Sequence, residues 1–430
     1  MSQASLFKEF RANLTVANAE AISISYNNIT ARLNKDYWDS ESDVYHSMKI
    51  GSWGRHTAIN GVSDLDMVFE IPEDDYNRYK NLQGNGPSTM LREVKECLQA
   101  RYPTTLIKAD GQIVGVFFKD YRVEVLPAFR DADDNYVHGD TNNGGTWKTT
   151  KPRPEIAAVN ALDKLANGNL KQVCKMLRAW KNQNGVGIGG LLVDTFAYNF
   201  FVENDEYHSA AFSNYPDLMV SVFAYLGGLP FQDYWYAPGS NQRVKCKTKF
   251  QAKARKAAAK SELASKAEDE VEQSKLWRQI FGPLFPKVEA VAKSAVLAES
   301  IVDHEEFIED TAPLDIRYDI EIDCEVKQAN VLTDLLRTMR KSGKRLPTGR
   351  HLRFFVRSSD VPPPYLLKWK VRNRGAEARR RNMLRGEISP DGGQSQRLES
   401  TSFAGDHYVE VYAIKDGYTV ARDRISVPIE

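Results

Sequence analysis

Apolar positions recur every three or four residues through the first stretch of the chain. Leu6, Phe10, Leu14, Ala21, Ile24, Ile29 and Leu33 space out one stripe between residues 5 and 35, which predicts helix. The grammar then shortens. HSMKIGSWGRHTAIN (46–60) reads as a short strand, a Gly-Ser turn and the first turn of a helix, and SDLDMVFEIP (63–72) as a strand that Pro72 ends. Residues 87–101 predict an amphipathic helix with Pro87 in its first turn, where a missing N–H is harmless. IVGVFF (113–118) and YRVEVLPAF (121–129) are strands whose junction, Lys119-Asp120, suits a tight hairpin. A strand-helix-strand-strand order makes a small α/β core on a mixed or antiparallel sheet.

From Pro154 to about Ser300 the pattern is mostly helical. Residues 171–183 present Val173, Leu177 and Trp180 on one face with basic residues beside it, while 189–202 and 216–229 are apolar nearly all round and predict buried helices. The Ala-, Lys- and Glu-rich run from Phe250 to Gly282 predicts one long surface helix. An acidic connector, DHEEFIEDTAP (303–313), marks a boundary. After Pro313 the pattern turns to alternation in IRYDIEID, HLRFFVRS, YLLKWKVRN, HYVEVYAIKD and YTVARDRISV, separated by Gly, Pro, Asn and Asp. That predicts a β-sandwich of roughly a hundred residues. The fold class expected is α+β: a catalytic core at about 40–150 with a helical lobe inside 1–303, a linker at 304–312, and a β domain at 313–430. A chain of 430 residues is long enough for two such cores.

Composition narrows the class of protein. Hydrophobic residues are 42% and charged residues 27%, ordinary for a soluble globular chain. No apolar run approaches the roughly 18 residues of a membrane span, and MSQASLFKEFRANL lacks the apolar core of a signal peptide. Cys97, Cys174, Cys246 and Cys324 are scattered, without zinc-ligand spacing, and read as reduced thiols of a cytoplasmic protein. The net charge of +1 conceals an asymmetry: residues 337–385 hold 16 Lys/Arg against Asp360 and Glu377. Such a segment is either an anion-binding surface or a set of partners for the acidic remainder.

The strongest chemical signal is Gly51-Ser52 followed twelve residues later by Asp64-Leu65-Asp66. On a strand, Asp64 and Asp66 point the same way, about 7 Å apart. Paired carboxylates in one cleft repel unless cations lie between them, and magnesium suits an all-oxygen site. Two such ions serve in-line phosphoryl displacement. Gly51 allows close backbone approach to a triphosphate, and Ser52 adds a hydroxyl and an amide. Glu124, in the middle of the apolar strand YRVEVLPAF, is the third acid; a strand Glu is commonly just a wet-face residue, and the company of Asp64 and Asp66 is what raises it.

These residues carry a resemblance. GSWGRHTAINGVSDLDMVFEIP, RVEVLPAF and a helix ending KMLRAWKNQ, flanked by ISISYNNITARLN and SKLWRQIFGPLFP, closely resemble the bacterial cGAS/DncV-like nucleotidyltransferases over about residues 5–286. These are the cyclic oligonucleotide synthases of anti-phage defence. The resemblance implies a polymerase-β-like fold, two magnesium or manganese ions, and nucleoside triphosphates, ATP among them, as substrates. It also implies a cyclic di- or trinucleotide product read by a downstream effector, and a regulatory protein partner is compatible with it. Carried over residue by residue, Asp64, Asp66 and Glu124 match the metal triad, with Glu where many members have Asp. Gly51 and Ser52 match the triphosphate turn. Lys175 and Arg178 match basic helix positions that contact donor phosphates; without the resemblance, a solvated helix face is the plainer reading. Tyr236, in YWYAPGSNQR, matches a loop that lines the base pocket, as a stacking candidate or a core aromatic. Gly190 and Asp194 stand where the family often has a small hydroxyl residue and Glu. Residues 313–430 resemble the C-terminal sensor domain of adenylyl/guanylyl and SMODS type, in which an anionic ligand could meet Arg372, Arg374 and Arg379 to Arg381, with His407 more plainly a turn residue. A linear oligoadenylate synthase, a protein-modifying nucleotidyltransferase and a lapsed nucleotide sensor remain as alternatives. The metal triad, the phosphate turn and the basic helix all lie before residue 182, and the C-terminal domain is expected to be separable from the chemistry.

Overall fold

A computed structural model describes residues 2–61, 64–289, 305–328 and 331–430. The expected boundary at 303 and the first linker residue, 304, lie outside the described residues.

The N-terminal stripe is two helices, α1 (Gln3–Asn13) and α2 (Ala19–Trp38), because it serves two cores. Leu6, Phe7 and Phe10 of α1 pack into the helical lobe, whereas Ile22, Ile29 and Leu33 of α2 pack against the sheet. The sheet begins with β1 (Ser47–Lys49) and the one-turn helix α3 (Gly51–Gly54), followed by β2 (Asp64–Glu70), α4 (Glu73–Lys80) and α5 (Gly86–Arg101). Then come β3 (Leu106–Asp110), β4 (Ile113–Phe117), β5 (Arg122–Arg130), β6 (Tyr136–Asp140) and β7 (Thr146–Thr150). Among the described residues the strand order is β1-β2-β5-β4-β3, with β6 and β7 extending from β5. The sheet is mixed: β2 and β5 run parallel, and β4 and β5 form the expected antiparallel hairpin. Strands β3, β6 and β7 were not signalled by the sequence; Leu106 and most of the TWKTT strand are half-buried or exposed, so no apolar alternation marks β3 or β7, and β6 buries the polar His138 and Asp140.

The helical lobe comprises α6 (Pro152–Leu165), α7 (Asn169–Gln183), α8 (Gly190–Glu203), α9 (Tyr215–Gly228), the hairpin β8 (Tyr234–Tyr236) and β9 (Arg243–Lys245), α10 (Gln251–Lys266) and α11 (Glu270–Phe281). The single long helix expected over 250–282 is broken. Ala267 is extended and the Asp269 carboxylate accepts the Glu272 N–H, capping a new helix. The break lets α10 bury Ala254, Ala257, Ser261 and Ala264 while α11 sends Trp277 and Phe281 into an aromatic cluster with Phe7 and Phe10.

The C-terminal region contains β10 (Ile320–Gln328), β11 (Val331–Leu335), α12 (Leu336–Lys341), β12 (His351–Ser359), β13 (Leu366–Arg372), α13 (Ala376–Arg380), β14 (Ile388–Pro390), β15 (Gln396–Ser400), β16 (Gly405–Lys415) and β17 (Tyr418–Ile429). They form two antiparallel sheets, β11-β10-β12-β15 and β14-β13-β16-β17. Ile322, Cys324 and Phe354 of one sheet share a core with Trp369, Val411 and Ile425 of the other, so the sandwich architecture and the α+β class are as expected.

Candidate active site

The parallel pairing of β2 and β5 creates the site. Asp66 lies opposite Glu124, and Asp64 opposite Arg122. Leu65, Met67 and Val123 face the sheet core, so period-two alternation turns Asp64, Asp66 and Glu124 to the other face together. Gly51 opens α3 directly above them. Its φ is +58°, and a Cβ there would lie 2.0 Å from Asp66 Oδ2, so only glycine lets the turn sit on the carboxylate.

The carboxylates have company from the far end of the chain. The Arg122 guanidinium contacts Asp64 and Glu124, each at 2.7 Å, and Asp315 at 3.0 Å. Arg317 contacts Asp64 at 2.8 Å, Glu124 at 3.1 Å and Asp315 at 2.5 Å. Three acids therefore share two guanidiniums, with Asp66 beside them. Asp66 has no ion pair among the described residues, and Asp64 Oδ1 is buried without a hydrogen-bond partner. Burial, followed by the charge of Asp64, pushes Asp66 up to about 6 and Asp315 up to about 7. Burial and then Asp66 raise Glu124, and burial raises Asp64 against the pull of Arg122. Among the described residues no three such side chains converge as a ready metal cage, because two of the three triad carboxylates are turned onto arginines. The excess of buried negative charge and the orphaned Asp64 oxygen nonetheless fit a cation.

Beside the turn lies a cationic wall. His56 is held down by burial, then by Lys171, Lys175 and Lys49. Lys175 is half-buried, lowered by burial and neighbouring cations, and has no carboxylate partner among the described residues. Arg178 does not share that openness. It is buried and committed to Asp194, at 2.5 Å, and to the Gly190 and Cys174 carbonyls. Asp194 also takes the Arg55 guanidinium at 2.7 Å and the Thr57 hydroxyl at 3.1 Å. Arg178 thus braces the segment after Gly51 against the lobe instead of presenting its charge to a phosphate, a correction to the expected direct contact. Tyr236 is exposed on β8, beside Arg243 and Tyr234, and is no core aromatic.

The family profile described as Second Messenger Oligonucleotide or Dinucleotide Synthetase domain matches residues 1–162, and Adenylyl/Guanylyl and SMODS C-terminal sensor domain matches 302–430. The first contains the whole carboxylate set and its glycine turn. The chain is a cGAS/DncV-like nucleotidyltransferase. It is an enzyme of the cyclic oligonucleotide synthase family, whose context is anti-phage signalling. This nucleotidyltransferase is similar to a cyclic AMP-AMP-AMP synthase of an Acinetobacter species, 24% identical over 277 residues covering 60% of this chain and 78% of that protein. Among solved structures it is similar to CdnC of E. coli MS115-1 in its HORMA-deltaN complex, at 15% identity and TM-score 0.49, covering 66% of this chain and 98% of that one. It is also similar to Vibrio cholerae DncV in its 3'-deoxy ATP bound form, at 15% identity and TM-score 0.45, covering 56% and 69%.

Sequence reasoning missed Asp315 and Arg317 of this nucleotidyltransferase, because residues some 190 to 250 positions away share no local pattern with Asp64 and Glu124. The expected separability of chemistry from the C-terminal half is not what the geometry displays: Arg317 reaches the triad, and Lys181 donates to the Ile316 carbonyl at 2.5 Å. Arg122 had one available signal, a cation two residues from a candidate ligand on the same strand face. The basic stretch 337–385 is largely paired within its own domain, as in Arg337–Asp423, Arg385–Glu399 and Arg380–Glu377. His407 is buried and accepts the Arg374 N–H, but it sits within β16 opposite Val427, so it is a strand residue and not the expected turn residue. Among the described residues no helix is long and apolar enough to cross a membrane.

Proposed function

We propose that this nucleotidyltransferase joins nucleoside triphosphates, ATP among them, into a cyclic di- or trinucleotide, with Asp64, Asp66 and Glu124 holding two magnesium or manganese ions. The observation that carries the reading is the in-register pairing of Asp66 with Glu124 beneath a left-handed Gly51, inside the segment matched by the synthetase profile. Two such ions, when bound, lower the acceptor hydroxyl's pKa and neutralise the leaving pyrophosphate. The chain's own groups supply the rest. Gly51 and Ser52 bind the triphosphate through backbone amides and the Ser52 hydroxyl. Lys175, an unpaired cation beside His56, adds charge to the phosphates. Arg178 is a positioning residue that acts through Asp194 on Arg55 and Thr57. Tyr236 offers a ring to a base from the lobe hairpin.

The reading includes the division into 1–303, 304–312 and 313–430, a cytoplasmic setting, a downstream effector that takes the product, a regulatory protein partner, and an anionic ligand of the C-terminal domain. Similarity to a cyclic AMP-AMP-AMP synthase favours adenylate as the unit joined. The test is incubation of the purified protein with each labelled triphosphate and magnesium or manganese, with products resolved after phosphatase. A phosphatase-resistant product from ATP, absent in Asp66→Asn, is expected; only phosphatase-sensitive products would replace cyclisation by linear synthesis.

A further inference from the structure

A cavity of about 570 Å³ separates α10 and α11 of the helical lobe from α12, β16 and β17 of the sandwich. That volume falls within the range of small-ligand sites. Its wall keeps an excess of cations. Eight of the lining residues are Lys or Arg and two are Asp. Asp423 is taken by Arg337, and Asp406 by Arg345, which lies outside the wall.

Lys256 and Lys260 stand one turn apart on α10, where like charges destabilise a helix. Neither has a carboxylate partner among the described residues. Burial, then Arg424 and Lys256, push the Lys260 ammonium down, as crowding by like charge requires. Opposite them the guanidiniums are held rigid. Arg422 and Arg424 both contact the buried Glu410 at 2.7 Å, and Arg374 and Arg424 lie over the Tyr408 ring at 4.6 and 4.2 Å. Arg422 Nη1 makes no hydrogen bond and lies 3.6 Å from the Glu309 carboxylate. Two unpaired ammoniums facing fixed guanidiniums across one space are the arrangement of an anion site. Tyr408 is already stacked by two arginines, which leaves phosphate rather than base as the feature recognised.

We propose that this cleft binds a small ligand carrying two or more phosphates, at a place separate from the catalytic carboxylates. The inference locates the anionic ligand of the C-terminal domain and does not depend on which residues perform catalysis. The ligand's two sources are the triphosphate substrate and the oligonucleotide product, which share that chemistry. β17 connects the cleft to the active site. Arg422 and Arg424 line the cleft, while the Thr419 and Val420 carbonyls hold the N–H groups of Asp315 and Arg317.

The test is calorimetric titration of the full-length protein and of Lys256→Glu/Lys260→Glu with a non-hydrolysable ATP analogue and, separately, a cyclic triadenylate. Lys256 is exposed and Lys260 half-buried on α10, and an unchanged melting temperature checks the fold; Arg374→Gln provides a second variant. At least one of the two ligands is expected to fill a site that weakens at least tenfold in the double variant and in about 300 mM against about 50 mM salt. Tighter binding of the triadenylate identifies product feedback, and tighter binding of the analogue identifies substrate sensing. Identical stoichiometry and affinity of both ligands for wild type and both variants would overturn the proposal. So would capture of a 20-nucleotide RNA at these lysines with neither small ligand bound.

Discussion

Asp194 is the sharpest test of how the lobe holds the phosphate turn. Its side chain is fully buried and takes three donors: Arg178, Arg55 and Thr57. Burial by itself would raise its pKa, but the Arg178 and Arg55 charges overcome that and hold it down at about 2. Asp194→Asn keeps the volume and removes the charge, leaving the buried Arg178 guanidinium without an anion and Arg55 with only Glu155 at 3.5 Å. Breaking a buried ion pair in this way destabilises by about 3–5 kcal/mol. The pH dependence has a definite sign. A carboxyl depressed from about 3.9 to about 2 contributes on the order of 2–3 kcal/mol above pH 4, and this is lost as pH falls towards 2. Urea unfolding of wild type and variant should therefore diverge most at neutral pH and converge between about pH 4 and 2. The apolar triple variant Arg55→Met/Arg178→Met/Asp194→Leu should recover part of the loss, since matched replacement of a buried charge set is often neutral. In Asp194→Asn the triphosphate KM should also rise, because Arg55 and Thr57 follow directly from the Gly51 turn. A loss below about 1 kcal/mol at pH 7, or a difference unchanged by acid, would refute the reasoning.

Asp66→Asn should abolish product without lowering the melting temperature in chelator, because Asp66 forms no ion pair and is charged against Asp64; its folded pKa is raised to about 6, so the wild type should lose stability relative to the variant as pH rises from about 4 to 6, and a variant that melts lower at pH 7 contradicts this. Arg317→Ala should increase manganese affinity measured by spin resonance, since it removes a cation from Asp64 and Glu124; unchanged or weaker binding would mean the guanidinium does not compete. Ser52→Ala should cost about ten- to a hundred-fold in kcat/KM, the value of a hydrogen bond to a charged group at about 1.5–3 kcal/mol, while Lys175→Ala should act mainly on KM. Unchanged steady-state constants in both would return that wall to a structural role.

The local features were legible in the residues themselves. Alternation in SDLDMVFEIP and YRVEVLPAF already requires Asp64, Asp66 and Glu124 to leave the core face together, and the β4–β5 hairpin follows from its two-residue junction. The same period-two pattern separates the sandwich strands from the helices before them. Helix ends were less legible. The breaks at 14–18 and 267–269 arise because successive parts of one apolar stripe pack into different cores or onto different partners, which period alone does not encode. Chain folding at long range decided the rest. Only the tertiary structure buries Arg178 on Asp194, brings Asp315 and Arg317 against the triad, and pairs most of the basic stretch within its own sheets while leaving Lys256 and Lys260 without carboxylate partners across a cleft from Arg422 and Arg424. A sequence shows which charges exist; their energy depends on the distance and burial of partners as far along the chain as Arg317 is from Asp64, and folding is what sets both.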